Sequence, residues 1–310
     1  MTLHDHPKTR RFTEAGSFTQ IDAWYEEGRN IIWTILRAQP RPSFNPVLLE
    51  EVKTLIDTVR KTNLPVDFWV TGSSVQGVFN AGGDLALFAH HIRTKNYSGL
   101  RTYAHACVNI LNEVMSGFGK NVITLAMIEG AALGGGFEAA LAHDFILAEK
   151  GVKMGFPEIA FNLFPGMGAY SFTARRAGMR TAEQLIMTGE SMLAEWHHEH
   201  GLVDRLIEPG EALVATRGFI DSIIPKKNGV RAMLRTRKKV LPVTHAELLA
   251  VTDDWAEAAL ELEEKDLAYM ERLVMLQNRR AAKPASPPAP VAPPAEPVAA
   301  EPKLRIVASH

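Results

Sequence analysis

Hydrophobic and polar residues alternate through "FTQIDAWYEEGRNIIWTILRAQ" on both sides of Glu27-Gly28. This period-two pattern predicts a β-hairpin with strands near residues 20–25 and 30–36, so the folded core begins near residue 16. At "NPVLLEEVKTLIDTVRKT" the period changes. Val47, Leu48, Val52, Leu55, Ile56 and Val59 recur at helical spacing behind Asn45-Pro46, with proline in the first turn. "VDFWVTGSS" and "VITLAMIEG" are short unbroken apolar runs, as expected of strands buried on both faces, and "YAHACVNILNEVMSGF" between them is helical. "DFILAEKGVKMGF" continues as strands, and "TARRAG" and "TAEQLIMTG" as short helices ended by glycine. Strands alternating with helices predict an α/β core over residues 16–222.

From about residue 225 to 280 the pattern is wholly helical, with Leu267, Met270, Leu273 and Val274 on one apolar face. Residues 223–280 therefore read as a helical region laid over the core or over a partner subunit. The Pro/Ala-rich "AAKPASPPAPVAPPAEPVAAEPK" has no aromatic residue and too little apolar surface to offset its ordering entropy. Residues 281–310 are expected to be a disordered tail, and residues 1–15 a flexible N-terminus. No internal repeat of solenoid period is present.

With 310 residues, 46% hydrophobic and 22% charged, the chain has the composition of a soluble globular protein that buries a sizeable core. A formal net charge of −1 supplies no global attraction to nucleic acid or an anionic membrane. No stretch approaches the roughly 18 apolar residues of a membrane span, and "MTLHDHPKTRRFTEAGS" has no signal-peptide core, so a cytoplasmic location is expected. The single cysteine, Cys107, excludes an intramolecular disulfide and reads as a small buried hydrophobe. "WHHEH" (Trp196 to His200) offers His197 and His200, but nothing nearby completes a ligand set. Neither a metal nor a cofactor is called for.

Two glycine-rich segments and two glutamates carry the candidate chemistry. In "VFNAGGDLALF", Gly82 and Gly83 permit close backbone approach and Asp84 is placed to cap a helix, so N–H groups can point outward as donors. An ordinary strand-to-helix turn is the alternative. Gly134-Gly135-Gly136 follows "VITLAMIEG" and precedes "FEAALAHD", a second strand–loop–helix junction. Its spacing is neither the dinucleotide fingerprint nor a phosphate loop, and close helix–sheet packing would also explain it. Glu138 lies in the first turn of that helix, where it would at least complement the dipole. Glu158, in "FPEIAFNLFPGMGA", is either exposed at a loop tip or buried with a raised pKa. Together these parts supply what proton transfer beside a carbonyl requires: an oxyanion site and two acid/base groups.

"FNAGGDL", "IEGAALGGGFEAALAHDFILAE" and "MGFPEIAFNLFPGMGA" resemble the crotonase (enoyl-CoA hydratase/isomerase) superfamily over roughly residues 20–220. The resemblance implies a ClpP/crotonase fold of repeated ββα units, an oxyanion hole at Gly83 and Gly135, and a catalytic pair at Glu138 and Glu158. "GVFNAGGDLALF", "FNLFPGMGAYSF", Trp255 and "DLAYMERLVMLQ" further resemble the diffusible-signal-factor (DSF) synthases, a crotonase branch, over most of residues 20–280. That likeness implies dehydration of a 3-hydroxyacyl chain on acyl carrier protein, then thioester hydrolysis, releasing a cis-2-unsaturated fatty-acid quorum-sensing signal. Glu158 would take the α-proton and Glu138 would protonate the leaving hydroxyl. Leu133, Phe156, Met167, Trp255 and Leu273 are the candidate acyl-channel residues, with plain core packing as the alternative for each.

Assembly as a homotrimer or a pair of trimers is also implied, with a signalling protein as a further possible partner. The basic stretch "RAMLRTRKKV" (Arg231 to Val240) is either a landing site for an acidic carrier protein or a solvated helix face. It has no interleaved aromatic platform for RNA. An ordinary enoyl-CoA hydratase/isomerase acting on acyl-CoA is the nearest rival, and a non-catalytic crotonase-fold binding protein is the rival of another class.

Overall fold

A computed structural model describes residues 16–281 together with residue 3 and residues 6–13. The expected tail, from residue 282 on, lies outside the described residues. The chain opens with β1 (Thr9–Arg11), β2 (Ile21–Glu26), β3 (Ile31–Leu36) and α1 (Pro46–Lys61). Three strand–strand–helix units follow. The first comprises β4 (Phe68–Ser73), β5 (Val78–Asn80), α2 (Leu85–Arg93) and α3 (Tyr97–Ser116). The second comprises β6 (Ile123–Ile128), β7 (Ala131–Leu133) and α4 (Gly135–Leu141). The third comprises β8 (Phe145–Glu149), β9 (Lys153–Gly155), α5 (Ala169–Ala177) and α6 (Met179–Thr188). After β10 (Met192–Leu193), α7 (Ala194–Glu199) and β11 (Arg205–Ile207), the chain is helical: α8 (Ala212–Ile223), α9 (Lys227–Val240), α10 (His245–Leu260) and α11 (Glu264–Ala281). The repeated ββα architecture expected from the sequence is present.

Each unit sends its first strand to one sheet and its second to another. β4, β6 and β8 lie in a seven-stranded sheet of order β1-β2-β3-β4-β6-β8-β11, and β5, β7 and β9 lie in a four-stranded sheet of order β10-β9-β7-β5. Within the smaller sheet β5, β7 and β9 are parallel neighbours. Their C-terminal ends therefore deliver Gly82-Gly83, the glycine triplet and Pro157-Glu158 side by side, at the edge where parallel sheets commonly bind ligands.

Period-two alternation divides the core. Ile32, Trp69, Ala126 and Ile146 face a cluster with α1, α3, α4 and α10, while Trp33, Phe68, Leu125 and Leu147 face a second cluster with α8 and α9. The hairpin is antiparallel, Ile21 opposite Leu36, as its pattern predicted. Asn45 caps α1 by accepting the Leu48 N–H at 2.9 Å.

Residues 1–15, expected to be flexible, contribute β1, which pairs antiparallel with Trp24–Glu26. The basic cluster lies on α9, which seats Leu234 in the second core cluster. Lys227 and Arg231 pair with Asp67 at 2.6 and 2.8 Å, and Arg237 and Lys238 pair with Asp144 at 3.3 and 3.0 Å. Much of its charge therefore ties helix to core.

Gly136 shows how closely the units interlock. A Cβ there would sit 2.2 Å from the Asn80 carbonyl oxygen, a backbone atom of β5 that cannot rotate away. Gly136→Ala is expected to lower the unfolding free energy by about 1–3 kcal/mol or more, since overpacking forces the two loops apart. Urea denaturation would show it; an unchanged midpoint would mean that the junction has room to give.

Candidate active site

Where β5 ends, the Asn80 side chain accepts the Gly82 N–H at 2.7 Å, and Asp84 caps α2 by accepting from Ala86 and Leu87 N–H at 3.2 and 3.3 Å. A strap from residues 41–44 holds this loop. Phe44 N–H donates to Gly82 O at 2.8 Å, Ala81 N–H to Pro42 O at 2.7 Å, and Arg41 pairs with Asp84 at 2.9 Å. From α3, the Tyr103 hydroxyl accepts the Asp84 N–H at 3.2 Å and donates to Phe44 O.

The glycine triplet lies directly opposite. A Cβ on Gly135 would fall 3.5 Å from Gly83 N, so the two backbones face each other across a short gap. Among the described residues neither the Gly83 nor the Gly135 N–H has a protein acceptor, and both residues line the same cavity. They are available as a donor pair. Gly134, at φ +52°, permits the approach of Glu158: a Cβ there would stand 2.1 Å from Glu158 Oε1. Only glycine leaves that space.

Glu138 is 1% exposed in the first turn of α4. Its Oε1 accepts the Met167 and Ala169 N–H groups at 2.7 and 2.8 Å. Glu158 stands on a 3₁₀ turn, Pro157–Phe161, and its Oε2 is buried with no hydrogen-bond partner among the described residues. Both carboxyls are harder to ionise than usual. Burial pushes Glu138 up to about 7 against the two N–H bonds, which favour its charged form. Glu158 lies well above the carboxylate range, first through burial and then through the charge of Glu138. When the pair loses its first proton, the backbone donors make Glu138 the carboxylate and leave the remaining proton on Glu158.

The cavity between them has a volume of about 180 Å³. Leu133, Met167, Trp255 and Leu273 line it, as the sequence suggested. Phe156 does not: it is fully buried and stacks on Phe137 at 5.1 Å, so its expected place in the acyl channel is corrected to a core position. Phe88, Tyr103, Phe161 and Tyr269 complete the wall, and nothing in the sequence pattern marks them for it. Trp255 meets Phe88 edge-on at 4.9 Å, and Phe88 meets Tyr103 at 5.3 Å. Helical periodicity marks such residues as buried but not as facing a cavity.

Cys107 is buried near Tyr103, its thiol pushed up to about 12 by burial, consistent with a packing role. His197 Nε2 bonds the Met154 carbonyl at 2.9 Å, and His200 stacks on Trp196 at 3.7 Å with its Nδ1 on the Trp196 carbonyl at 2.8 Å. No group of three or more His, Cys, Asp or Glu suited to a metal ion occurs among the described residues.

A family model described as enoyl-CoA hydratase/isomerase matches residues 29–270. A Rhizobium meliloti protein described as "Probable enoyl-CoA hydratase" is 31% identical over 199 residues, 64% of this chain and 72% of that protein. The glyoxysomal fatty acid beta-oxidation multifunctional protein MFP-a of Brassica napus is 30% identical over 170 residues, 54% of this chain but only 23% of that longer protein. The crystal structure of enoyl-CoA hydratase from Bacillus halodurans superimposes with a TM-score of 0.70 at 18% identity, covering 82% of this chain and all of that one (100%), a likeness of fold.

The raised carboxyls have a consequence for stability. In the unfolded chain they titrate near 4.5, so above that pH the unfolded state binds fewer protons than the folded state. Stability attributable to Glu138 therefore falls as pH rises from 4.5 to about 7, and Glu158 extends the loss to higher pH. Glu158→Gln is expected to raise the thermal midpoint relative to wild type at mildly alkaline pH and to change it little near the unfolded-state value. Equal shifts at both pH values would contradict the burial of an ionisable pair.

Proposed function

This chain belongs to the enoyl-CoA hydratase/isomerase family, and on that premise we propose that its cavity adds water to, and removes it from, the C2–C3 bond of an acyl thioester. The thioester carbonyl accepts from the Gly83 and Gly135 N–H groups, which stabilise the enolate-like charge. One such donor contributes about 3 kcal/mol, roughly a hundredfold in rate. In hydration, ionised Glu138 takes a proton from water as the oxygen bonds to C3, and protonated Glu158 delivers its proton to C2. Dehydration retraces the path: ionised Glu158 removes the C2 proton while protonated Glu138 gives its proton to the departing hydroxyl. The observation that carries this reading is the asymmetry of the pair, with two backbone donors on Glu138 Oε1 and, among the described residues, no partner for Glu158 Oε2. At rest this favours the protonation state that begins hydration.

A second reading is dehydration of a 3-hydroxyacyl chain followed by thioester hydrolysis, releasing a cis-2-enoic acid of the DSF class. It is favoured by the way Trp255, Tyr269 and Leu273 of the appended helices close the apolar side of the cavity. The same donor pair would hold the tetrahedral oxyanion, and one of the two glutamates would activate water. Acyl carrier protein is the carrier this reading names, and acyl-CoA is that of the first. A purely non-catalytic binding role is disfavoured, because binding alone has no use for two buried carboxyls that reduce stability.

Glu138→Gln and Glu158→Gln are each expected to lower turnover by about 10²–10⁴-fold. The two readings separate on products: hydration consumes a trans-2-enoyl thioester and leaves the thioester intact, whereas the second releases free unsaturated acid, measurable by mass spectrometry. Near-wild-type rates in both variants would remove the glutamates from the chemistry. Because hydration needs ionised Glu138, kcat/KM in that direction should fall about tenfold per pH unit below about 7. A flat acid limb would place the base elsewhere.

A further inference from the structure

Behind the catalytic cavity lies a second, smaller one of about 40 Å³, enclosed between α1, α3 and the large sheet. Leu49, Val52, Phe79, Leu111 and Val114 supply much of its wall. Met167 lines both cavities, and its sulfur would lie 2.9 Å from a Cβ on Gly135. The thioether therefore stands between the donor pair and the inner space. We propose that Met167 is a movable wall between the catalytic cavity and an inner acyl compartment, and that it sets the longest acyl chain the site accepts. The proposal rests on the thioester reading above.

Three features support it. Methionine is unbranched, with several rotatable bonds and a soft thioether, so its side chain can swing aside where a branched residue would be locked. Its backbone N–H, not its side chain, holds Glu138, so the wall can move without releasing the carboxylate. The inner space also suits an alkyl chain. Its main polar groups satisfy one another: Trp69 Nε1–H donates to the Thr71 hydroxyl at 2.9 Å, which bonds His143 Nε2 at 2.8 Å, and His143 Nδ1 bonds the Ala139 carbonyl at 2.8 Å. Since a carbonyl can only accept, Nδ1 carries the hydrogen and Nε2 accepts from Thr71. Thr34 is the exception in this lining, with no partner for its hydroxyl among the described residues. About one probe sphere of some 10–15 Å³ holds a water, so 40 Å³ has room for a few methylenes.

The test uses the full chain, a graded series of straight-chain enoyl thioesters, and free saturated fatty acids of the same lengths as non-reacting probes. Met167→Ala should move the preferred chain length up by about two to four carbons. The kcat/KM of the newly favoured chain relative to the old one should rise about tenfold or more. Filling the compartment from α1, in Met167→Ala with Val52→Phe, should return the preference toward the wild-type length. Met167→Val serves if the alanine variant does not fold.

If wild type turns over thioesters but neither truncation moves the optimum, the compartment is overturned and the thioester reading stands. If no thioester is turned over at any length, yet the fatty acid giving the largest thermal stabilisation lengthens in the truncated variant, the thioester reading fails and the compartment stands. If no thioester is turned over at any length and the most stabilising fatty acid does not lengthen in the truncated variants, both are overturned.

Discussion

Two carboxyl groups buried around one apolar cavity cannot both be charged without large cost, so burial and mutual repulsion hold a proton between them. The site depends on where that proton rests. Glu138 and Glu158 are chemically identical, and their difference comes from the backbone: the loop carrying Met167 and Ala169 turns two N–H groups onto one of them. A fold that lost those two hydrogen bonds would still have two glutamates in a cavity, but with less in the backbone to tell them apart.

That loop is held in turn by the appended helices. Thr252 on α10 has its hydroxyl 2.8 Å from the Gly166 carbonyl, and the Trp255 ring lies so close to Gly166 that a Cβ there would meet its Cγ at 2.3 Å. Asp253 binds α10 to α3 through Arg101 at 2.7 Å and His105 at 2.6 Å, and Arg93 ties α2 to α11 through Glu264 at 2.6 Å and Glu271 at 2.5 Å. Exposed ion pairs of this kind contribute little singly, so the seating of α10 rests mainly on buried Leu248, Trp255 and Ala259. The C-terminal region thus does two things at once. It closes the cavity, and it fixes the loop that distinguishes the glutamates.

Most of the architecture was legible because it is written locally. The hairpin at Glu27-Gly28, the Asn45 and Asp84 caps and the apolar runs of β4 and β6 each carry their signal within a few residues. β1 was not legible: "TRR" pairs through its backbone, and its side chains point to Asp22, Tyr25 and Trp24 rather than into a core. In the site, the glycine loops and both glutamates stood out because glycine and charge are unusual in such apolar company. That Phe156 belongs to the core, and Phe88 and Tyr103 to the cavity wall, is not written in the sequence for one reason. Composition and periodicity tell whether a residue is buried, not whether the space beside it is filled by protein or left for a ligand.

The direction from which a substrate arrives follows from the same asymmetry of the fold. The cavity belongs to the core cluster beneath α10 and α11, and Ala160, on the Glu158 turn, is the exposed residue of its lining, so the cavity reaches the surface at that turn. The basic residues of α9 belong to the opposite layer, where Leu234 packs with Trp33 and Phe68. A carrier protein resting on α9 would therefore have the sheet between its thioester and the donor pair. If the substrate is the proposed acyl thioester, its carrier would instead approach along the Pro157–Phe161 turn, where the cavity reaches the surface.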